Sequence, residues 1–122
     1  MQYSNIADLA RQNEHFRKVL FTNEHSQVVL MSIHPEDDIG LETHQVDQVL
    51  YFVTGEGKAL VNGEEHNVMP GDLVEVPAGS EHNFINTGHE DLKLFTVYAP
   101  AEHPPGTIHE TKAAAMAAEA HE

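Results

Sequence analysis

The sequence contains no cysteine among its 122 residues. A disulfide framework, thiol catalysis and any zinc or iron–sulfur site with cysteine ligands are therefore excluded. Basic residues are also scarce, with 6 Lys and Arg against 20 Asp and Glu and a formal net charge of −14. Nucleic-acid phosphates and anionic membrane surfaces both require basic patches, so we expect neither as a partner.

Long apolar runs are missing as well. No stretch approaches the roughly 20 apolar residues that a bilayer-spanning helix needs. Asp8 and Glu14 interrupt the segment that would be apolar in a signal peptide, so we expect a cytoplasmic protein. The length suits one domain, and 40% hydrophobic residues are enough for a buried core, so we predict a single domain over residues 1–122.

The hydrophobic pattern between residues 28 and 98 is typical of short strands separated by turns. Asn62-Gly63, between two such runs, is the clearest hairpin signal. Seven or eight short strands at this spacing favour an antiparallel sandwich or barrel over alternating βαβ units. The predicted strands are 28–33, 39–44, 48–54, 57–61, 64–68, 72–77, 81–86 and 92–98.

Both ends of the chain are predicted to contain a helix. Residues 4–14 form a short amphipathic pattern with Ser4 in the position of the N-cap. After Glu102 the sequence His-Pro-Pro-Gly indicates a loop, and the alanine-rich stretch beyond it indicates a second helix.

One predicted strand is apolar on both faces. Val49, Tyr51 and Val53 share one face, and Leu50 and Phe52 share the other. A strand with one wet face should alternate instead, so either the N-terminal helix or a second subunit must cover the outer face. Because the helix offers few apolar residues, we expect a homodimer.

Ten histidines stand out in the composition, and two of them form part of a candidate metal site. Glu42 and His44 share one face of a predicted strand, because side chains two positions apart point the same way. A short turn after His44 brings Gln48 back opposite both, and His82 opens a later strand. Two imidazoles, a carboxylate and an amide oxygen would form a mixed nitrogen and oxygen site for a divalent first-row metal.

The other histidines lie in polar, turn or terminal segments, where we expect exposed side chains. They are His15, His25, His34, His66, His89, His103, His109 and His121.

The sequence resembles the RmlC-like cupin superfamily across its β region. The second cupin motif reads Gly-Asp, four residues, Pro-x-Gly-x-x-His, three residues and Asn. The stretch GDLVEVPAGSEHNFIN over 71–86 matches it at every one of these positions.

The first cupin motif is kept less closely. Over residues 40–55 the closing Gly55 is present, and Gln48 stands in the slot that is usually Glu. His44 falls in the slot of the second His, and Glu42 falls in the slot of the first. Both replacements still offer an oxygen to a metal.

The resemblance implies an all-β fold, an antiparallel double-sheet jelly-roll barrel with its core at about 28–98, a short N-terminal helix and a C-terminal helical tail. It also implies a divalent transition metal (Mn, Fe, Zn or Ni) held by Glu42, His44, Gln48 and His82. Phe52 and Phe84 would line the substrate pocket beside these ligands.

Two functions are compatible with the resemblance. The first is a small metalloenzyme of the dioxygenase, lyase or isomerase type, which acts on a small oxygenated organic substrate with Glu42 as ligand or base. The second is a non-catalytic cupin module that binds a sugar or another small molecule, because a fold does not determine a function.

Overall fold

The computed structural model describes residues 1–119, which form two antiparallel sheets and two short helices. The helices are α1 (Ile6–Gln12) and α2 (Lys112–Glu119). The strands are β1 (Arg17–Thr22), β2 (Gln27–Ile33), β3 (Glu42–Thr43), β4 (Asp47–Thr54), β5 (Gly57–Val61), β6 (Glu64–Val68), β7 (Leu73–Val76), β8 (Glu81–Asn86), β9 (Leu92–Ala99) and β10 (Ile108–His109). Neither described helix is long and apolar enough to cross a membrane.

The two sheets confirm the predicted jelly roll. One has the strand order β10-β1-β2-β9-β4-β7, and the other has the order β3-β8-β5-β6. Their inner faces enclose an apolar core in which Leu50, Phe52, Phe84, Leu92 and Leu94 have no exposed surface.

The predicted strands are found close to their expected places, with three exceptions. The run over 39–44 contains only the two residues of β3, and the barrel begins with β1, before the predicted start at residue 28. Arg17 occupies an inward position in β1, where its charge breaks the alternation that indicates a strand. β10 was missed because two residues are too few to form a pattern.

The Asn62-Gly63 hairpin is confirmed. Both residues have positive φ, 49° for Asn62 and 82° for Gly63, as a type I′ turn requires. The strands on either side pair in register from Val61 and Glu64 onwards.

Helix α1 begins after a different cap from the predicted one. The side chain of Asn5, and not that of Ser4, accepts a hydrogen bond from the backbone N–H of Asp8 at 3.1 Å. At the other end, Nζ of Lys93 donates to the carbonyl oxygen of Arg11 at 2.7 Å, which fastens the helix to the outer face of β9.

This helix covers much of the outer face of β4. Tyr51 and Val53 lie in an apolar cluster with Leu9 and Ala10 of the helix, so their burial gives no argument for a second subunit. The homodimer itself stays a prediction.

The remaining argument for a dimer is a row of three half-buried valines on the same outer face. Val28 pairs with Val97, and Val97 pairs with Val49. If two copies join through this row, Val97→Lys should give monomers in sedimentation velocity at micromolar concentration, while Val97→Thr should leave the dimer in place. A parent protein that sediments as a monomer would contradict the prediction.

Helix α2 is fastened to the barrel by one apolar contact and one ionic cluster. Ala115 is buried in the core, and Nζ of Lys112 lies 2.9 Å from Oδ1 of Asp37 and also bonds to Asp38. Hydrogen bonds from Asn83 and Lys112 hold the pKa of Asp38 below its ordinary value of 3.8.

We therefore expect Lys112→Met to lower the free energy of unfolding by about 0.5–1 kcal/mol at neutral pH, since the cluster is partly exposed. A lowered carboxyl pKa stabilises the fold above the unfolded value, and this contribution is lost as pH falls through the folded pKa of Asp38. The free energies of unfolding of the parent and the variant, measured with urea, should therefore become equal in strong acid. Lys58→Met, which removes an exposed pair with Glu65, is the control and should change little.

Candidate metal centre

The four predicted ligands lie at one end of the barrel, but they come from both sheets. Glu42 in β3 pairs with His82 in β8, whereas Gln48 in β4 pairs with Tyr98 in β9. The segment after His44 carries the chain from one sheet to the other, so the expectation that Gln48 returns opposite Glu42 and His44 is wrong. Gln48 instead approaches from the facing sheet beside Tyr98, whose ring centroid lies 5.8 Å from that of His44.

His44 is held between two carboxylates. Its Nε2 lies 3.0 Å from Oε2 of Glu42, and its Nδ1 lies 2.8 Å from Oε1 of Glu102. Burial opposes protonation of the ring, but hydrogen bonds and charges of Glu42 and Glu102 outweigh it and raise the pKa of His44. Burial likewise works against the Glu42 carboxylate, yet the bond and charge of His44 hold the pKa of Glu42 below its ordinary value.

His82 is oriented by the backbone. Its side chain is buried, and Nδ1 donates to the carbonyl oxygen of Ser80 at 2.9 Å. Nε2 is therefore the nitrogen that remains for a ligand, in a ring whose centroid lies 5.1 Å from that of His44. A histidine whose second nitrogen bonds to a carbonyl is the usual state of a metal ligand.

Gln48 is buried with half of its amide satisfied. Nε2 donates to Oγ1 of Thr96 at 3.1 Å, while Oε1 is buried and has no hydrogen-bond partner. Leaving such an acceptor unsatisfied costs about 1–3 kcal/mol, so this oxygen requires an explanation.

His103 belongs to this group, and the expectation of an exposed side chain was wrong. Its ring centroid lies 5.3 Å from that of Tyr98 and 6.5 Å from that of His44, and its Nε2 is buried without a partner. Burial, helped by the positive charge of Arg17, lowers the pKa of His103 to about 3, so the ring is neutral.

Gln27 holds the segment that carries His103 and Glu102. This fully buried side chain accepts hydrogen bonds from the backbone N–H groups of both residues, at 3.1 and 3.2 Å, and donates to the carbonyl oxygen of His103 at 2.7 Å. Because 75 residues separate Gln27 from Glu102, no local pattern in the sequence could have placed them together.

Most of the other histidines are located as expected. His25, His34, His66 and His89 are exposed, whereas His15 is half-buried, so the expectation of an exposed side chain is wrong for His15. His109 is a further correction, since it is half-buried in β10 and its Nδ1 lies 3.2 Å from Nη1 of Arg17. His121 lies outside the described residues.

A cleft of about 350 Å³ opens at this end of the barrel. Phe52 and Phe84, which were predicted to line the pocket, are fully buried in the core with ring centroids 5.9 Å apart. Like Gln48 and His82, they are not among the residues that line this cleft. A larger cleft of about 510 Å³ lies beside β6 and β7, where His66 is the one histidine in its lining. The residues that line the first cleft are Glu42, Thr43, His44, Glu102, His103, Pro104, Thr107, His109 and Glu119.

The donor set fits a divalent metal once one proton is removed. Within residues 1–119, no group of three or more His, Cys, Asp or Glu side chains is arranged to hold a metal ion. Glu42 and His44 bond to each other instead. Oε1 of Gln48 and Nε2 of His82 remain available, and metal binding releases protons from histidine ligands.

The comparisons with known proteins identify the family. The model of the cupin domain matches residues 29–98, so the chain belongs to the cupin family. It is 48% identical to the uncharacterized protein YrkC of Bacillus subtilis, over 94% of this chain and 66% of that protein, so it spans about two thirds of this relative's length. Its fold resembles the crystal structure of BH2720 from Bacillus halodurans, with a TM-score of 0.94 and 43% identity over 95% of this chain and 93% of that one.

A more distant neighbour bears a description of activity. The crystal structure of a predicted oxalate decarboxylase from Thermotoga maritima matches with a TM-score of 0.61 and 28% identity, over 65% of this chain and 70% of that one. Together these neighbours confirm the double-sheet cupin barrel.

The two carboxylates around His44 generate a prediction about pH. A raised histidine pKa stabilises the fold below the unfolded value of 6.5, and this contribution is lost as pH rises through the folded pKa. Glu102→Gln should therefore lower the pKa of His44 and reduce the free energy of unfolding by about 1 kcal/mol in mild acid, with a smaller difference in alkali. NMR titration of His44 and urea unfolding of the chelator-treated protein measure both effects.

The matched control is Glu65→Gln, which removes the same charge from the exposed strand β6. It should leave the pKa of His44 almost unchanged. Equal effects of the two substitutions would show that net charge, and not the bond to Nδ1, sets the protonation of His44.

Proposed function

We propose that this cupin binds a divalent transition metal through Glu42, His44, Gln48 and His82 and acts as a metalloenzyme on a small oxygenated organic molecule. The observation that supports this most directly is Oε1 of Gln48, which is buried without a partner although Nε2 of the same amide bonds to Thr96. A cation at this end of the barrel would satisfy that oxygen.

The orientation of the two histidines supports the same proposal. Nδ1 of His82 bonds to the Ser80 carbonyl, and Nδ1 of His44 bonds to Glu102. Nε2 of His82 therefore remains for a ligand, and Nε2 of His44 faces Glu42, which is itself a proposed ligand. Outer partners on Nδ1 are the arrangement that metal-bound histidines usually have. Two nitrogens and two oxygens suit manganese, iron, nickel or zinc.

The metal and the residues around it would have different chemical roles. A metal bound here would polarise a substrate oxygen as a Lewis acid. Glu42 lines the cleft and already bonds to a ring N–H of His44, so its carboxylate is the group that can hold or move a proton next to the substrate. His103 stays neutral at the wall of the cleft and offers a ring nitrogen.

A lyase, an isomerase or a dioxygenase would each use these parts. The Thermotoga neighbour is described as a predicted oxalate decarboxylase, which corresponds to the lyase among the three. At 28% identity the neighbour does not specify the substrate.

One observation favours a second candidate, a non-catalytic module that binds a small molecule. Glu42, His44 and Glu102 form a closed ionic network that satisfies all three groups with no metal. In a binding module this network would persist while the cleft holds its ligand.

Metal content separates the two candidates. We expect protein purified without a histidine tag to bind a transition metal stoichiometrically after exchange against Mn, Fe, Ni or Zn, as measured by elemental analysis. His44→Ala and His82→Ala should each weaken binding by more than the roughly 10–100-fold that loss of an outer partner costs. His66→Ala removes an exposed histidine from the other cleft and should change nothing.

Gln48→Glu tests the ligand that departs from the family pattern. A carboxylate compensates the cation where an amide supplies only a dipole, so the variant should bind a divalent metal more tightly. Thr96 can donate its hydroxyl proton to the new carboxylate, which keeps the side chain in place. Circular dichroism checks folding throughout. A parent without metal affinity, or a His66→Ala variant that loses metal while His82→Ala keeps it, would contradict the proposal.

A further inference from the structure

Arg17 places a buried cation at the same end of the barrel. Its side chain is 2% exposed, and it pairs across the sheet with Met31, a residue of the core. Directly paired residues point to the same face, so Arg17 projects inward. Lys93 is the other buried residue among the six basic residues of the chain, and it lies outside the barrel against α1.

The Arg17 guanidinium has unusually weak partners for a buried group. Nη1 lies 3.3 Å from Oε1 of Glu119 and 3.2 Å from Nδ1 of His109, and Nε is buried with no hydrogen-bond partner. Bonds between a guanidinium and a carboxylate are normally about 2.7–2.9 Å. A cation–π contact with Phe16, whose ring centroid lies 5.4 Å from Cζ, supplements these partners but leaves Nε unbonded. A buried charge is costly unless it is well paired, so these contacts alone do not explain the position of this arginine.

Arg17 lies directly behind the wall of the candidate site. Both of its partners, His109 and Glu119, line the cleft together with Glu42 and His44. Its charge also acts on the cleft: after His44, it helps to lower the pKa of Glu42. Arg17 therefore contacts two residues of a cleft that is also lined by Glu42 and His44, two of the four proposed metal ligands.

We propose that Arg17 binds the carboxylate of the substrate, and that the side chain of Glu119 occupies the place of that carboxylate until the substrate displaces it. The inference deepens the proposed function and rests on it, because it names a small organic acid as the substrate class. The two terminal nitrogens of a guanidinium form a fork that matches the two oxygens of a carboxylate, and Nη1, which Glu119 now contacts, is one of them. The other end of the acid then lies towards His44 and Glu42, within a cleft of about 350 Å³.

Glu119 suits the role of a displaceable group. Its carboxylate is 49% exposed, so water stabilises it once it leaves Arg17. The helix that carries it is independently fastened by Ala115 and Lys112, so α2 does not depend on the contact with Arg17.

The test uses propionate as the probe and propionamide as its neutral isostere, at constant ionic strength. NMR titrations of the chelator-treated full chain follow the backbone amides of the cleft and the Nε–H signal of Arg17. Propionate should shift these signals, and propionamide should not. Glu119→Gln should tighten propionate binding by about two- to fivefold, because the competing carboxylate is removed. Arg17→Gln should weaken it by at least about tenfold.

Glu24→Gln is the control for charge, since it removes a more exposed carboxylate, 86% against 49% for Glu119, from the turn of the β1–β2 hairpin. It should leave the affinity unchanged. Because Arg17→Gln replaces a buried residue, the exposed Glu119→Gln variant keeps the inference testable if Arg17→Gln does not fold.

Unchanged propionate affinity in Glu119→Gln, or equal shifts with propionamide, would overturn the role of Arg17. The metal measurements are separate from these titrations. Propionate binding that depends on Arg17 in a chain without metal affinity would support the acid-binding inference and remove the metalloenzyme. If the protein binds metal stoichiometrically but propionate shifts no signal, the metalloenzyme proposal would stand and the acid-binding inference would fail.

Discussion

The ionic contact of His44 with Glu42 and Glu102 is the interaction on which the polar end of the barrel depends. It joins the start of the β3–β4 connection to the segment after β9, two parts of the chain that are distant in sequence. Without it, three ionisable groups would lie partly buried and unpaired at the edge of an apolar core, which is a costly arrangement. Gln27 supports this contact by fixing the backbone beneath Glu102.

Unsatisfied polar atoms concentrate around this contact. Among the described residues, four buried side-chain atoms have no hydrogen-bond partner, and three of them belong to Arg17, Gln48 and His103. The fourth belongs to Ser32. Folded proteins normally satisfy such atoms, so a cluster of orphans at one end of a barrel indicates where ligands bind. A metal beside Gln48 would account for one of them.

The sequence predicted those features that depend on residues close together in the chain, and it failed where distant residues come into contact. The Asn62-Gly63 turn, the alternating strands and the second motif over 71–86 depend on neighbours within a few residues, so local patterns predicted them. The first motif gave Glu42, His44, Gln48 and His82 as a group, and the fold brings them to one end of the barrel. Their mutual arrangement differed, because β3 and β4 belong to different sheets.

The sequence by itself determined the cupin family, the positions of most strands along the chain and the absence of thiol chemistry. Motif spacing and composition are properties of the chain alone. Only the tertiary structure decided that α1 covers β4, that His103 lies half-buried beside His44 and that Arg17 projects inward behind the wall of the cleft. Arg17 and Glu119 are 102 residues apart, and Gln27 and His103 are 76 apart. Such contacts form when two sheets close on each other, and that closure depends on pairings that no local window of sequence contains.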